Sequence, residues 1–160
     1  MARDPRDIVV SWYFSMRDTH RELPRVRDLR RRLSSMSLAD GLLFSIRELA
    51  PSLNAMTTWL EAPSPEVAFF RLEEIAKDHE GQTRRLLSHC EVHLTEDDVR
   101  RVLAETSREG LRSRDLATRP EGQESHYRRQ PSNHADHFDD VHHSLFRELT
   151  GDLVERLGYA

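Results

Sequence analysis

The sequence predicts one mostly α-helical domain that contains one or two short β-strands. The chain has 160 residues, which is enough for a single buried core. Most apolar residues recur at helical spacing, and only residues 66–71 contain a short, continuous apolar run bounded by turn residues. One strand cannot form a sheet by itself, so the pattern is expected to be part of a larger fold.

The first helix is predicted over residues 4–20. Asp4 can cap its free backbone N–H groups, Pro5 suits the first helical position, and Asp7 lies in the first turn, where the helix dipole favours a negative charge. Residues 8–16 are apolar nearly all round. This helix is therefore expected to be mostly buried.

The remaining elements follow from the same rules. Residues 95–107 are predicted to form a helix, because Thr95 can cap it and three acids follow in its first turn. Residues 117–137 are polar and contain glycine and proline, so a flexible loop is expected there. A stripe of one valine and four leucines predicts the C-terminal helix over residues 138–157. Further helices are predicted over residues 37–49, 52–60 and 78–89, and residues 26–33 are predicted to form a short helix or a loop.

The composition argues against several classes of protein. A net charge of −4 disfavours a general nucleic-acid-binding protein. No apolar run approaches the roughly 18 residues that cross a bilayer, and no signal peptide opens the sequence, so neither a membrane span nor secretion is expected. The single cysteine, Cys90, cannot form an internal disulfide, which favours a cytoplasmic protein. Because Cys90 follows an apolar helix stripe, its thiol is predicted to be packed.

Positive charge is concentrated in residues 1–35. This segment has nine arginines and five acids, a net of +4, so a total of −4 leaves −8 for the other residues. A basic segment in an acidic chain is expected to lie near an anionic ligand. The equally open alternative is that these arginines lie on solvated helix faces.

Residues 3–11 form the clearest candidate for a binding site. A helix N-terminus presents unpaired N–H groups and a partial positive charge, so it attracts anions. Arg3 immediately precedes the predicted helix and can donate two parallel hydrogen bonds to phosphate oxygens. Ser11, two turns along, offers a hydroxyl to the same group. An ordinary capped helix with an exposed arginine has the same spacing, and the spacing alone favours that plainer interpretation.

Together with the residues that follow, this segment resembles the sulfotransferases that use 3′-phosphoadenylyl sulfate (PAPS). In that family an apolar strand leads into an Arg-(Asn/Asp)-Pro-(Arg/Lys)-Asp-x-x-x-Ser motif followed by aromatic residues. Residues 3–14 read Arg-Asp-Pro-Arg-Asp-Ile-Val-Val-Ser-Trp-Tyr-Phe, with the same spacing. The resemblance implies that Arg3 and Ser11 hold the 3′-phosphate of the nucleotide.

Two later segments resemble the family in the same order. Residues 70–75 are similar to a strand-ending Arg-Tyr-Glu-Asp-Leu segment, with Leu72 in place of a tyrosine that contacts the nucleotide. Residues 95–107 are similar to a helix that ends in Thr-Ser-Phe, with Arg108 at the phenylalanine position. This similarity implies that Thr106 lies beside the adenine.

A third segment resembles the family's second phosphate-binding element. Residues 125–134 are similar to a Tyr-Arg-(Lys/Arg)-Gly-x-x-Gly-Asp-Trp stretch, in which two cations grip the 3′-phosphate. The resemblance assigns this role to Arg128 and Arg129. Both glycines and the tryptophan are replaced here, and one residue is deleted.

The resemblance implies a three-layer, P-loop-like α/β fold around a parallel sheet, of which residues 1–160 form a single partial domain with remnant parallel strands. It implies transfer of a sulfuryl group from PAPS, the co-substrate, to a small-molecule acceptor with a hydroxyl or an amine. In the family, a Pro-Lys-(Ser/Ala)-Gly-Thr loop for the 5′-phosphosulfate and a catalytic histidine precede the motif that begins at Arg3. Neither is found here, so this chain is expected to keep the grip on the 3′-phosphate and to lack the catalytic part. No catalytic residue is assigned.

Two further hypotheses remain open from the sequence. One is a non-catalytic remnant that binds nucleotide weakly or interacts through an exposed apolar face. The other is a divalent-metal site in residues 134–143, which contain four histidines and three aspartates. Because that segment has no defined metal motif, no metal is expected. His20 is a candidate for the acceptor side or a surface histidine, and the oligomeric state is left open.

Overall fold

A computed structural model describes residues 2–61, 64, 66–119, 125 and 133–159. The chain divides into two compact units. The Ser11 unit combines Asp4–Pro63 with Gln130–Ala160, and the Thr106 unit combines Met1–Arg3 with Ser64–Arg129. The described residues are mostly helical in both units, as the sequence predicts.

The helices are numbered along the chain. The α-helices are α1 (Pro5–Phe14), α2 (Pro24–Ser34), α3 (Leu38–Asn54), α4 (Thr58–Glu61), α5 (Leu72–Lys77), α6 (His79–His89), α7 (Glu96–Thr106), α8 (Arg108–Ala117), α9 (Asp140–Thr150) and α10 (Leu153–Arg156). A π-helical turn (Ser15–Thr19) continues α1, and 3₁₀ turns lie at Ala55–Thr57 and His134–Asp136. The first helical segment therefore ends close to the predicted residue 20, although its last turn is π-helical.

The predicted helix starts at Asp4 and Thr95 are both present. The Asp4 side chain accepts a hydrogen bond from the backbone N–H of Arg6 at 2.9 Å, and Pro5 occupies the first helical position. The Thr95 hydroxyl accepts a hydrogen bond from the backbone N–H of Asp98 at 3.2 Å. Each side chain replaces one of the partners that the first turn of a helix lacks.

The strand predicted over residues 66–71 is not formed, and no β-strand occurs within the described ranges. Only an isolated parallel bridge joins Ala2 to Arg71. The backbone N–H of Ala2 donates to the Phe70 carbonyl at 2.7 Å, and that of Leu72 donates to the Ala2 carbonyl at 2.8 Å. Pairing stops there because α5 begins at Leu72.

The C-terminal helix predicted over residues 138–157 is divided into α9 and α10. Gly151 follows α9 with a φ of 60°, a conformation that glycine adopts without steric cost and other residues avoid. The loop predicted over residues 117–137 falls largely on residues 120–124 and 126–132, which lie outside the described residues.

The core of the Ser11 unit lies where α3 packs against α1 and α9. Val10, Tyr13, Leu33 and Leu42 are fully buried there and form one apolar cluster. A Cβ atom at Gly41 would overlap the Tyr13 ring, so α1 and α3 approach each other at a point where only glycine fits. This packing holds α1 in place along its apolar face.

The Thr106 unit has a smaller core. Among its described residues, the buried apolar side chains are Ala2, Phe70 and Val99. No residue of α6 is buried, and Cys90 at its end is exposed. The prediction of a packed Cys90 thiol is therefore wrong, because the apolar stripe before it is not buried: Leu86 is 46% exposed and Leu87 is half-buried. No helix in the described parts of the chain is both long and apolar enough to cross a membrane.

Candidate functional site

The start of α1 contains a partly buried ion pair between Asp4 and Arg6. The Arg6 guanidinium donates from Nε to Asp4 Oδ1 at 3.0 Å and from Nη2 to Asp4 Oδ2 at 2.6 Å. Burial alone raises the pKa of Asp4, but the hydrogen bonds and charge of Arg6 outweigh it and hold that pKa below its ordinary value. Asp4 therefore remains a carboxylate, and Arg6 offsets its charge.

A second acid of this turn, Asp7, is bound by a residue from the distant end of the sequence. The backbone N–H of His134 lies 2.7 Å from Asp7 Oδ1, and the ring Nδ1 of His134 lies 2.8 Å from the same oxygen. Because a carboxylate oxygen only accepts, both nitrogens donate to it. The His134 ring also lies 3.9 Å from Asp4 Oδ2 and makes an edge contact with His143. His134 thus joins the 3₁₀ turn to α1.

Ser11 lies one turn beyond Asp7 on the same helix. Side chains four residues apart in a helix share a face, with Cβ atoms about 5–6 Å apart. Ser11 is exposed, whereas its neighbours Val9 and Val10 are fully buried. The hydroxyl is therefore open to a ligand that approaches this face of α1.

Thr106 ends α7 and its hydroxyl is already engaged. Thr106 Oγ1 donates to the Val102 carbonyl at 2.7 Å and lies 3.0 Å from Nε2 of His79. A hydroxyl has one proton, so the bond to Val102 leaves its oxygen to accept from His79. These two bonds fix the position of the Thr106 side chain within its unit.

The histidine-rich segment has structural roles in the Ser11 unit. His142 is buried, with Nδ1 at 2.6 Å from Asp139 Oδ1 and Nε2 at 3.1 Å from the Ala39 carbonyl, and its ring stacks on Phe138. These contacts connect the start of α9 to the first turn of α3. Across the described ranges, no group of three or more His, Cys, Asp or Glu side chains is arranged to hold a metal ion.

Asp139 caps α9, and this cap should make the free energy of unfolding depend on pH in the acid range. Its pKa is lowered first by the backbone N–H of His142 and then by the His142 ring. A carboxyl whose pKa is lower in the folded chain stabilises it above the unfolded value, and this contribution is lost as the pH falls through the folded value. The ordinary pKa of an aspartate is 3.8. We expect the Asp139→Asn variant to lose less stability than the wild-type chain when the pH falls below this value. Urea unfolding at pH 5 and below pH 3.8 would measure the difference.

The control for this effect is Asp140→Asn, which changes the exposed acid next along the chain. This variant should lose stability on acidification as steeply as the wild-type chain does. An equal flattening in both variants would contradict a specific role for the Asp139 cap.

Comparison with protein families gives a decisive result for the chain as a whole. A family model described as the sulfotransferase domain matches residues 1–158. The chain belongs to the sulfotransferase family. No curated protein and no solved structure matches it. Membership implies an α/β fold, and sulfotransferases of this family generally take the sulfuryl group from PAPS. The resemblance predicted from residues 3–14 is thereby confirmed at the level of the family.

The residues that the family motifs predict to bind a nucleotide fall in different parts of this sulfotransferase-family chain. Ser11 lies in the Ser11 unit, whereas Arg3 and Thr106 lie in the Thr106 unit. Arg128 and Arg129 fall outside the described residues. Their assignments remain predictions from the family motifs.

Sequence reasoning missed the contact between His134 and Asp7. From the sequence, Asp7 belongs to a helix start and to the motif that begins at Arg3, and His134 belongs to the candidate metal segment and to the end of residues 125–134. The residues around each of them do not indicate this contact, because the two lie 127 positions apart in the sequence. His20, the candidate for the acceptor side, has its ring Nδ1 at 3.1 Å from the Arg21 carbonyl, and its role stays a prediction.

Proposed function

We propose that this chain binds the 3′-phosphate of PAPS, as part of a domain that transfers a sulfuryl group to a hydroxyl or amine of a small acceptor. The family match over residues 1–158 supports the reaction class. The observation that carries the proposal is that Ser11 is exposed on α1, whose cap residue Asp4 directly follows Arg3. Arginine and serine at this spacing match the phosphate-binding pair of the family motif.

The residues present fit a phosphate. Ser11 can donate its hydroxyl proton to a phosphate oxygen, and the fork of Arg3 can donate two parallel bonds. Arg128 and Arg129 would add positive charge, and Thr106 would lie beside the adenine. PAPS, when bound, supplies the sulfuryl group on a phosphate leaving group.

The 3′-phosphate is remote from the transferred group, so these residues act by positioning the nucleotide. Binding energy from a remote part of a substrate can be used to orient its reacting atoms. Transfer itself requires cations and N–H groups on the equatorial oxygens, by analogy with phosphoryl transfer. Residues 1–160 contain no Pro-Lys-(Ser/Ala)-Gly-Thr segment, and their single lysine is Lys77. We therefore assign no step of the transfer to them.

Titration calorimetry with adenosine 3′,5′-bisphosphate tests this proposal. The wild-type chain should bind the bisphosphate more tightly than adenosine 5′-monophosphate, which lacks the 3′-phosphate. Arg3→Ala and Ser11→Ala should each weaken bisphosphate binding by about tenfold or more, because a hydrogen bond to a charged group contributes about 1.5–3 kcal/mol.

The matched controls are Arg25→Ala and Ser34→Ala, which remove an exposed arginine and an exposed serine of α2. Both should bind the bisphosphate as the wild-type chain does. The proposal is wrong if the wild-type chain binds neither nucleotide, or if it binds both equally and Arg3→Ala changes nothing.

A further inference from the structure

The face of α1 that carries Ser11 also carries the carboxylate of Asp7, which would repel a bound anion. Asp7 lies one turn before Ser11 on that face, so a phosphate held by the Ser11 hydroxyl would lie near the Asp7 carboxylate. Like charges at such a distance repel each other, most strongly where protein excludes water. The Asp7 side chain is 15% exposed, so water screens it only in part.

His134 binds the Asp7 carboxylate and so reduces the repulsion that an anion would meet there. Both its backbone N–H and its ring Nδ1 donate to Asp7 Oδ1, at 2.7 and 2.8 Å. The His134 side chain is itself 19% exposed, so the pair is largely withdrawn from solvent. The other acid at the start of α1, Asp4, pairs with the Arg6 guanidinium at 2.6 Å. Each carboxylate at the start of α1 thus has its own donor.

We infer that His134 is a positioning residue of the proposed phosphate site, which holds and offsets the Asp7 carboxylate so that Ser11 can bind an anionic group. This inference rests on the proposed function. His134 does not touch the phosphate; it acts through Asp7. Because the two residues lie 127 positions apart in the sequence, the fold creates this contact.

The inference predicts that loss of the His134 ring weakens binding of adenosine 3′,5′-bisphosphate. His134→Ala should bind about tenfold more weakly, since the hydrogen bond it removes is to a charged group. His134→Asn should bind nearly as the wild-type chain does, because its side-chain amide can place an N–H where Nδ1 stood. Calorimetric titration of the full chain measures both.

A second change separates this role from a merely structural one. If the unbalanced carboxylate causes the defect, Asp7→Asn should restore binding in the His134→Ala background. If His134 only packs the 3₁₀ turn on α1, removal of the Asp7 charge should restore nothing. His137→Ala is the matched control, because it removes a ring that directly follows the same turn and packs on Phe14 of α1, and it leaves the Asp7 bonds intact.

The outcomes are distinct. Weaker binding by His134→Ala, recovery in His134→Asn and in the double variant, and unchanged binding by His137→Ala would support the inference. Unchanged binding by His134→Ala, or a defect that Asp7→Asn does not relieve, would overturn the inference and leave the proposed function standing. Failure of the wild-type chain to bind the bisphosphate would overturn both.

Discussion

Replacement of Leu42 by alanine should lower the free energy of unfolding of the chain by about 2–5 kcal/mol. Leu42 is fully buried in α3, in a cluster with Val10, Tyr13 and Leu33. Alanine would lose the burial of the removed methyl groups. It would also leave a cavity that α1, α2 and α3, the helices that contribute to the cluster, close only in part. Urea unfolding followed by circular dichroism would measure the loss.

Leu38→Ala is the control for this variant, since Leu38 begins the same helix and is 40% exposed. Its cost should be about 1 kcal/mol or less, as is usual for exposed positions. Equal losses at Leu38 and Leu42 would show that the cluster does not carry the stability of the Ser11 unit. The result also bears on function, because α3 packs against α1, the helix that presents Ser11.

Gly41→Ala should also destabilise the chain, by about 1–3 kcal/mol, the usual cost of overpacking a core. In an exposed helix the same change raises stability by about 1 kcal/mol, because alanine is the better helix former. Here the new methyl group would overlap the Tyr13 ring, which is fully buried. The ring is held further by the bond from Arg17 Nη1 to its hydroxyl at 2.9 Å. Packing therefore reverses the sign that helix propensity predicts.

A double-mutant cycle with Tyr13→Leu tests the cause of this effect. Tyr13→Leu removes the ring atoms that the methyl group would meet, so Gly41→Ala should cost less in that background than in the wild-type chain. Thermal unfolding of the four proteins provides the comparison. A stabilising effect of Gly41→Ala in the wild-type background would refute the close contact between α1 and α3.

Helix starts were predictable because their causes are local. Asp4 and Thr95 bind N–H groups within three residues of themselves, so the sequence near each residue contains the whole interaction. The end of α9 at Gly151 was not predicted, because the leucine stripe continues past this glycine and indicates one helix. A hydrophobic stripe indicates which face is buried, but it does not show whether the helix is continuous.

The strand over residues 66–71 was not predictable in the same way. An apolar run bounded by turn residues is typical of a buried strand, but a strand also needs a partner of adequate length. The partner of Arg71 is Ala2; α5 begins directly after Arg71, and α1 begins at Pro5, three residues after Ala2. The local composition is compatible with a strand, but only one pair of residues is bridged, so an isolated bridge forms and no strand does.

The sequence alone identifies the family and its motif residues. A motif is a set of residue types at fixed spacing, so it can be recognised without knowledge of the fold. Ser11 was identified in this way, and its role in binding stays a prediction. Only the tertiary structure decided that His134 binds Asp7 and that Tyr13 packs against Gly41. Contacts between distant segments depend on how helices pack, and that packing is the sum of many weak interactions that no single segment encodes.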